Sequence, residues 1–512
     1  MKLVIHSSVG GRSHARAMLE VGQVLVERGH SVVFAALDEN LRFGDGYNMS
    51  RVSLGSLQFS DMRTKLQELM ADNTNLMGRM MDMLGPILAR FYAAEYASLW
   101  RVLEDKVDLV VCDIAANACL DIAKAQGIPL VIGLQTTDSF RMNAVPFVTR
   151  IAGYGPLTTE NLGLAERMWY SVLEPLVNLP SFYRMMRPVN ELRARQGFKP
   201  RLRIFDFEYG IALANTYFGF ETAVPTEPSL HLVGPIFPLN PQPLTPELEA
   251  FLANSPRTLY ICFGSQILLD AKDTRTIFAA IQSALDSNTI DAAIWANFDQ
   301  AQLPPPNINR LLTIGYAPQQ AILAHPNTRA FISHGGLESS LEAIHSGTPI
   351  LCMPFISDQP RNAAKIERAR IGIYVDRATV TPASLHAGIQ QIIANATAPS
   401  DLIVNLHRMQ QVSHANANRR HHAADLIESH YAIAKACRPQ TPFIPTTNQP
   451  PCEMHHLVSV SSQMSFIRAN ALDMYGLIAL MGLLLLCLLK TSLSLLFNAI
   501  IPKTSLSPKK TQ

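Results

Sequence analysis

The chemistry this chain could do gathers at a histidine past its first apolar run, an aspartate closing a later run, and a glycine pair between a strand and a helix. His14 falls in the turn made by residues 11–15, at the carboxyl end of a first predicted strand over residues 2–7. That is where α/β sheets put ligands. An imidazole near its ordinary pKa accepts a proton at working pH. Asp113 closes a second strand predicted over residues 107–112. A carboxylate there holds the imidazole tautomer and stabilises its cation, the base–orienter logic of hydrolase triads without a protein nucleophile. Singly, His14 reads as a capping or exposed histidine and Asp113 as a turn former; together with the rest of the pattern they read as a catalytic pair. Gly335-Gly336 joins a strand predicted at 330–333 to a helix carrying Leu341 and Ile344, and a run at 349–353 closes the βαβ unit. Backbone there can approach a ligand closely, and the helix start offers N–H groups and a positive dipole end to an anion.

Around that pair, Phe331-Ile332-Ser333-His334-Gly335-Gly336, Ser339, Glu342, Pro349, Pro354 and Asp358-Gln359 keep the offsets of a known signature. The chain resembles the family 1 UDP-glycosyltransferases, and the resemblance covers most of its length. It implies a GT-B fold, α/β, with two Rossmann-like domains facing across a cleft. It assigns Tyr316 to stacking on uracil, where relatives usually have tryptophan, Gln319 to the border of the nucleoside and Glu342 to the ribose hydroxyls. Ser265, His334, Ser339 and the backbone of Gly336 and Leu337 would hold the diphosphate, while Asp358 and Gln359 would read the hexose. His14 stands at the family's distance before Arg28-Gly29-His30. Glu338 departs from the pattern, since relatives commonly carry asparagine there; a carboxylate pointing inward would repel the phosphates, yet acidic residues suit a helix's first turn. The implied activity is inverting transfer of a hexose, by resemblance glucose, from a UDP-sugar to a hydroxyl of a lipophilic small molecule or lipid. With no acidic metal pair in the motif, no metal or other cofactor is expected. A UDP-sugar epimerase on the same fold and a non-catalytic nucleotide-sugar-binding membrane protein are the rival readings.

The elements that must position these groups alternate strand and helix through both halves. Prolines 235, 238, 241, 243 and 246 read as a semi-rigid linker. The expected organisation is an acceptor-binding domain over residues 1–234, a linker over 235–256 and a UDP-sugar-binding domain over 257–437. A membrane-proximal segment (438–473), a transmembrane span (474–501) and a basic tail (502–512) follow. Ser13 is the expected cap of a first helix ended by Gly29. Met62, Met70, Met77, Met80, Met81 and Met83 lie in a predicted helical stretch and read chiefly as core, with an adaptable apolar pocket as the sharper alternative. Residues 136–201, interrupted by proline, glycine and aromatics, read as loops shaping an acceptor site or lid.

A formal net charge of +2 leaves no electrostatic footprint for nucleic acid. The seven cysteines, without metal spacing, read as small core hydrophobes rather than a disulfide framework. His414, His421, His422, His455 and His456, next to Arg419-Arg420, read as a solvated face. Residues 474–489 are uncharged and apolar, and extension to 501 past a snorkelling Lys490 gives bilayer length. Lys503, Lys509 and Lys510 favour a cytosolic tail, and Lys509-Lys510-Thr511-Gln512 looks like a dilysine endoplasmic-reticulum signal. Sequons at Asn48 and Asn395 point to a lumenal body, whereas Met1-Lys2 runs straight into the first strand, so the side of the membrane stays open.

Overall fold

Strands that read as unbroken apolar runs need cover on both faces, and the intervening helices provide it. The computed structural model describes residues 1–9, 11–57, 65, 68–69, 76–134, 148–149, 156–201, 209–298, 308, 310–438, 450–460 and 464–500. Met1–Leu457 forms one unit and Val458–Gln512 another. The first unit opens with β1 (Lys2–His6), α1 (Arg12–Glu27), β2 (Ser31–Ala36), β3 (Ser50–Ser53), α2 (Leu76–Glu104) and β4 (Leu109–Asp113). It continues with α3 (Asn117–Gln126), β5 (Leu130–Leu134), α4 (Glu174–Arg195), β6 (Gly210–Ala214) and β7 (Leu230–Leu232). These strands make one parallel sheet of order β3-β2-β1-β4-β5-β6-β7. After α5 (Pro246–Ala253) come β8 (Thr258–Cys262), α6 (Ala271–Asp286), β9 (Ala292–Ala296), β10 (Leu311–Ile314), α7 (Gln319–Ala324) and β11 (Thr328–Ser333). Then follow α8 (Leu337–Ser346), β12 (Ile350–Cys352), α9 (Gln359–Arg368), β13 (Gly372–Tyr374), α10 (Pro382–Thr397), α11 (Asp401–Asn416) and α12 (Arg419–Cys437). The second sheet is also parallel, of order β10-β9-β8-β11-β12-β13.

Each sheet reverses strand order once, between β1 and β4 and between β8 and β11. At such a switch point the connections leave in opposite directions and open a crevice at the carboxyl ends of the strands. His14 follows β1 and Asp113 ends β4; Ser265 follows β8 and the glycine pair follows β11. Fully buried Val4, Val110, Ile132, Ile261, Ile332 and Leu351 anchor the two cores, each such side chain contributing about 1.5–3 kcal/mol of burial.

Several expectations need correction. Gly11, not Ser13, is the N-cap of α1, and no side chain bonds to that end. Residues 164–195, expected to be irregular, include the 22-residue α4 despite Pro180 and Pro188 inside it. The helix survives its prolines because Met185, Met186 and Val189 pack into a cluster with Met80, Met81, Leu88 and Tyr92 of α2, and that burial offsets the lost backbone bonds. Met80 and Met81 are thus core residues; Met62 and Met70 lie outside the described residues, as do 135–147 and 150–155. The cysteine reading fails for four positions: Cys112 bonds Cys119 and Cys437 bonds Cys452, because the turn after β4 and the chain's return past α12 bring the Cα atoms to 5.9 and 6.0 Å. Cys262 and Cys352 are buried free thiols, as expected of core hydrophobes, whereas Cys487 is exposed.

α12 turns back onto the first sheet's helix layer. Arg28 donates to Asp425 and Glu428 at 2.7 and 2.6 Å, His30 pairs with Glu428 at 2.7 Å, and Arg420 donates to Glu20 at 3.1 Å. The five histidines read as a solvated face are all exposed. The second unit contains α13 (Leu472–Ile500), whose residues Leu472–Leu496 have a mean hydropathy of 2.3 and enough length to cross a membrane.

Candidate active site

The base and its orienter meet as their strand ends require. His14 Nδ1 donates to Asp113 Oδ2 at 2.9 Å, and Asp113 Oδ1 accepts from the backbone N–H of Ala115 at 2.7 Å. The Asp113 side chain is 1% exposed and that of His14 31%. Burial is the largest single influence and opposes the imidazole's charge, but Asp113, through its charge and hydrogen bond, and the more distant carboxylates together raise the His14 pKa above its ordinary value. Asp358 and Glu338, from the second half, push in the same direction.

That wall is built at the α8 start. Gly335 takes φ +78°, a left-handed turn open to glycine. A Cβ on Gly336 would stand 2.5 Å from His334 Nε2, so only glycine lets the imidazole lie against the backbone. Gly336 caps α8 with no side chain, which leaves the cap position open to a ligand. Burial lowers the His334 pKa to about 4, so this imidazole is neutral, and its buried Nδ1 has no hydrogen-bond partner. Ser265 faces the α1 turn: a Cβ on Gly11 would be 3.5 Å from its Oγ.

A cleft opens beside these groups, lined by Tyr260, Asn297, Tyr316, Gln319, Ser339 and Glu342 among others. Tyr316 presents its ring to this space, 64% exposed. Gln319 Nε2 donates to Glu342 Oε2 at 2.6 Å and to Ser339 Oγ at 3.0 Å, and its Oε1 accepts from Tyr260 at 3.3 Å. Leu337 is buried at the first position of α8. At the other end, Asp358 caps α9 and accepts from Asn362 at 2.7 Å. Gln359 spends its side-chain oxygen on the N–H groups of Phe355 and Ile356, at 2.9 and 3.1 Å.

Of the twelve residues singled out from the sequence, Tyr316, Gln319, Ser339 and Glu342 line this cleft, while His14 and Asp113 pair at the strand ends of the first sheet and the others stand at strand ends and helix starts of the second half. Two others were missed. Arg12 and Arg16, one turn apart on α1, also line the cleft. The signal for them was available: no acidic residue occupies the first turn of α1, and Arg12 at its first position, followed a turn later by Arg16, runs against the helix dipole. Arg16 meets the departing residue Glu338, donating to its two oxygens at 3.3 and 3.1 Å. Burial raises the Glu338 carboxyl above its ordinary value, Arg16 pulls it down, and the neighbouring Glu342 charge raises it further.

Paired parallel sheets with polar groups at both switch points define a GT-B glycosyltransferase architecture, shared with solved enzymes. A UDP-glucosyltransferase of Polygonum tinctorium superposes with a TM-score of 0.58 at 17% identity, over 83% of this chain and 98% of that one. The family model for UDP-glucoronosyl and UDP-glucosyl transferases matches residues 3–413, and the chain belongs to this family. A UDP-glycosyltransferase of Talaromyces amestolkiae is 28% identical over 91% of this chain and 92% of its own. UDP-glycosyltransferase 1 of Phaeomoniella chlamydospora is 30% identical over 74% and 79%. The chain is accordingly an enzyme, a transferase of glycosyl groups.

Proposed function

We propose that the enzyme transfers glucose from UDP-glucose to a hydroxyl of a lipophilic acceptor, with inversion and without a metal ion. The observation that carries this reading is the 2.9 Å bond from His14 Nδ1 to buried Asp113, beside an open helix start. With Nδ1 tied, Nε2 is the nitrogen that takes the acceptor's proton. The acceptor oxygen attacks the anomeric carbon as the bond from that carbon to the phosphate oxygen breaks, and UDP leaves with the electron pair. The α8 start, with Ser265, neutral His334 and Ser339, receives the diphosphate charge, and Tyr316 stacks on the uracil. The carboxylates in the cleft already have partners in Arg16 and Gln319, a set that does not invite a divalent cation. Activity that collapses in chelator and returns with a divalent metal would reverse this point.

Glucose is favoured by the family resemblance, which assigns the hexose to Asp358 and Gln359; a glucuronate carboxylate beside Asp358 would meet like charge. The α2–α4 methionine cluster abuts Val9 and Ile356, in the loops after β1 and β12, and so sets an apolar wall near the base. That favours lipophilic alcohols, phenols or sterols. We further propose anchoring through Leu472–Leu496, with residence in the endoplasmic reticulum; resistance to alkaline carbonate extraction tests the anchor, and protease protection of microsomes its side.

The test is a screen of such acceptors with labelled UDP-glucose, comparing wild type with His14→Ala. Loss of a general base lowers turnover by about 10²–10⁴-fold, while UDP affinity should persist. Unchanged turnover removes His14 from its role. A changed hexose without acceptor would favour epimerisation, and UDP binding without any transfer a non-catalytic binder.

A further inference from the structure

The Arg16 guanidinium crosses the cleft from the first half to two carboxylates of the second. Nε and Nη2 donate to Glu338 at 3.3 and 3.1 Å, and Nη2 donates to Glu342 Oε1 at 2.7 Å. The three side chains are 17%, 17% and 3% exposed, so the cluster is shielded from screening by water. Gln319 holds the other Glu342 oxygen at 2.6 Å. Two things follow for an incoming UDP-sugar. The diphosphate must settle on the first turn of α8, where Glu338 adds a negative charge that asparagine would not. The ribose must find Glu342, both of whose oxygens are engaged, one of them by Arg16.

We propose that Arg16 is a donor-positioning residue: it neutralises Glu338 so that the diphosphate can dock at the α8 start, and it yields Glu342 to the ribose as the nucleotide enters. This rests on the nucleotide site proposed above and adds to it a residue from the acceptor half. Arginine suits the task because its planar fork grips one carboxylate with two donors while another donor is exchanged. The pair also accounts for the departure at position 338: a carboxylate stands there because a cation from α1 accompanies it.

The experiment measures calorimetric affinities of the full-length protein in detergent for UDP and for uridine, which lacks phosphates. Four proteins are compared: wild type, Arg16→Met, Glu338→Asn and the double variant. Arg16→Met should weaken UDP by about tenfold or more, as an unpaired buried charge is left at the phosphate site. It should leave uridine unchanged or tighter, because Glu342 Oε1 is released. Glu338→Asn alone should bind UDP within about threefold of wild type, and adding it to Arg16→Met should recover most of the loss. Three results overturn the proposal: wild-type UDP affinity in Arg16→Met, equal losses for UDP and uridine, or a double variant no better than Arg16→Met. A wild-type protein that binds no UDP would instead sink the nucleotide site itself, a separate failure.

Discussion

Replacing Asp113 by asparagine removes one negative charge beside His14 Nδ1, 2.9 Å away, and keeps the side chain's shape. Two unit charges 4 Å apart interact by about 4 kcal/mol at an effective dielectric of about 20, which sets the scale of the effect. A hydrogen bond to a charged group nets about 1.5–3 kcal/mol, and the low end applies because the His14 side chain is still 31% exposed. At 1.36 kcal/mol per unit, the His14 pKa should fall by about one unit. The sign follows from which form works. The base is active when neutral, so wild-type kcat/KM should fall as pH drops through a value above the ordinary 6.5 for histidine. In Asp113→Asn that acid limb should move to lower pH by about one unit, while the plateau drops by about 10²-fold or more because the imidazolium formed during proton transfer loses its partner. Stability has its own signature. A raised folded-state pKa stabilises most below the unfolded value and ceases to do so as pH rises through the folded one, so the variant's deficit in Tm should be largest in acid and shrink towards pH 8. The assay is a pH profile of labelled-glucose transfer from pH 5 to 9 for both proteins. An acid limb that stays put or moves up, or a plateau within about threefold of wild type, would refute the pairing argument.

Three further outcomes are expected. Tyr316→Ala should weaken UDP about three- to tenfold by calorimetry, a stacking term of roughly 0.5–1.5 kcal/mol, whereas Tyr316→Trp should equal or exceed wild type; equal affinity in the alanine variant would remove the ring from the uracil site. Gly336→Ala puts a Cβ 2.5 Å from His334 Nε2, so the ring must leave the cradle, and UDP binding should be lost with Tm lowered; retained affinity would mean that the imidazole does not matter there. Lys365 Nζ lies 2.9 Å from Glu221, with side chains 2% and 0% exposed, so Lys365→Met should cost about 3–5 kcal/mol in denaturant unfolding, and adding Glu221→Gln should recover part of it; a loss under about 1 kcal/mol would show that water reaches the pair.

The strand ends that carry His14, Asp113 and the glycine pair were legible from the sequence because strands buried on both faces leave apolar runs such as residues 259–262 and 330–332, whereas the nucleotide residues came from the family signature. Elements whose signal lies in distant partners were not. β6 (GIALA) is a short run of small residues that becomes a strand by pairing with β5. Cys112 and Cys119 are seven residues apart, a spacing that says nothing of distance until the chain turns after β4. Pro180 and Pro188 argue for a broken segment on local grounds, and a tertiary contact with α2 overrules them. The docking of α12 depends on Arg28 and His30 finding Glu428 about 400 residues away, which no window of sequence displays.

Two local rules are broken in this chain, and each violation makes sense through the other. Arginines in the first two turns of α1 oppose its dipole, at a cost of a few tenths of a kcal/mol that fades beyond the first turn. A carboxylate at the start of α8 agrees with that helix's dipole but conflicts with the anion the helix start would hold. Either residue alone is a fault in its own element. Across the cleft they make a pair at 3.1 Å, and the cation that α1 tolerates poorly offsets the charge that the phosphate site tolerates poorly. A sequence that strays from local preference at two places should therefore be checked for whether those places meet, since sites of function are where such departures are expected to persist.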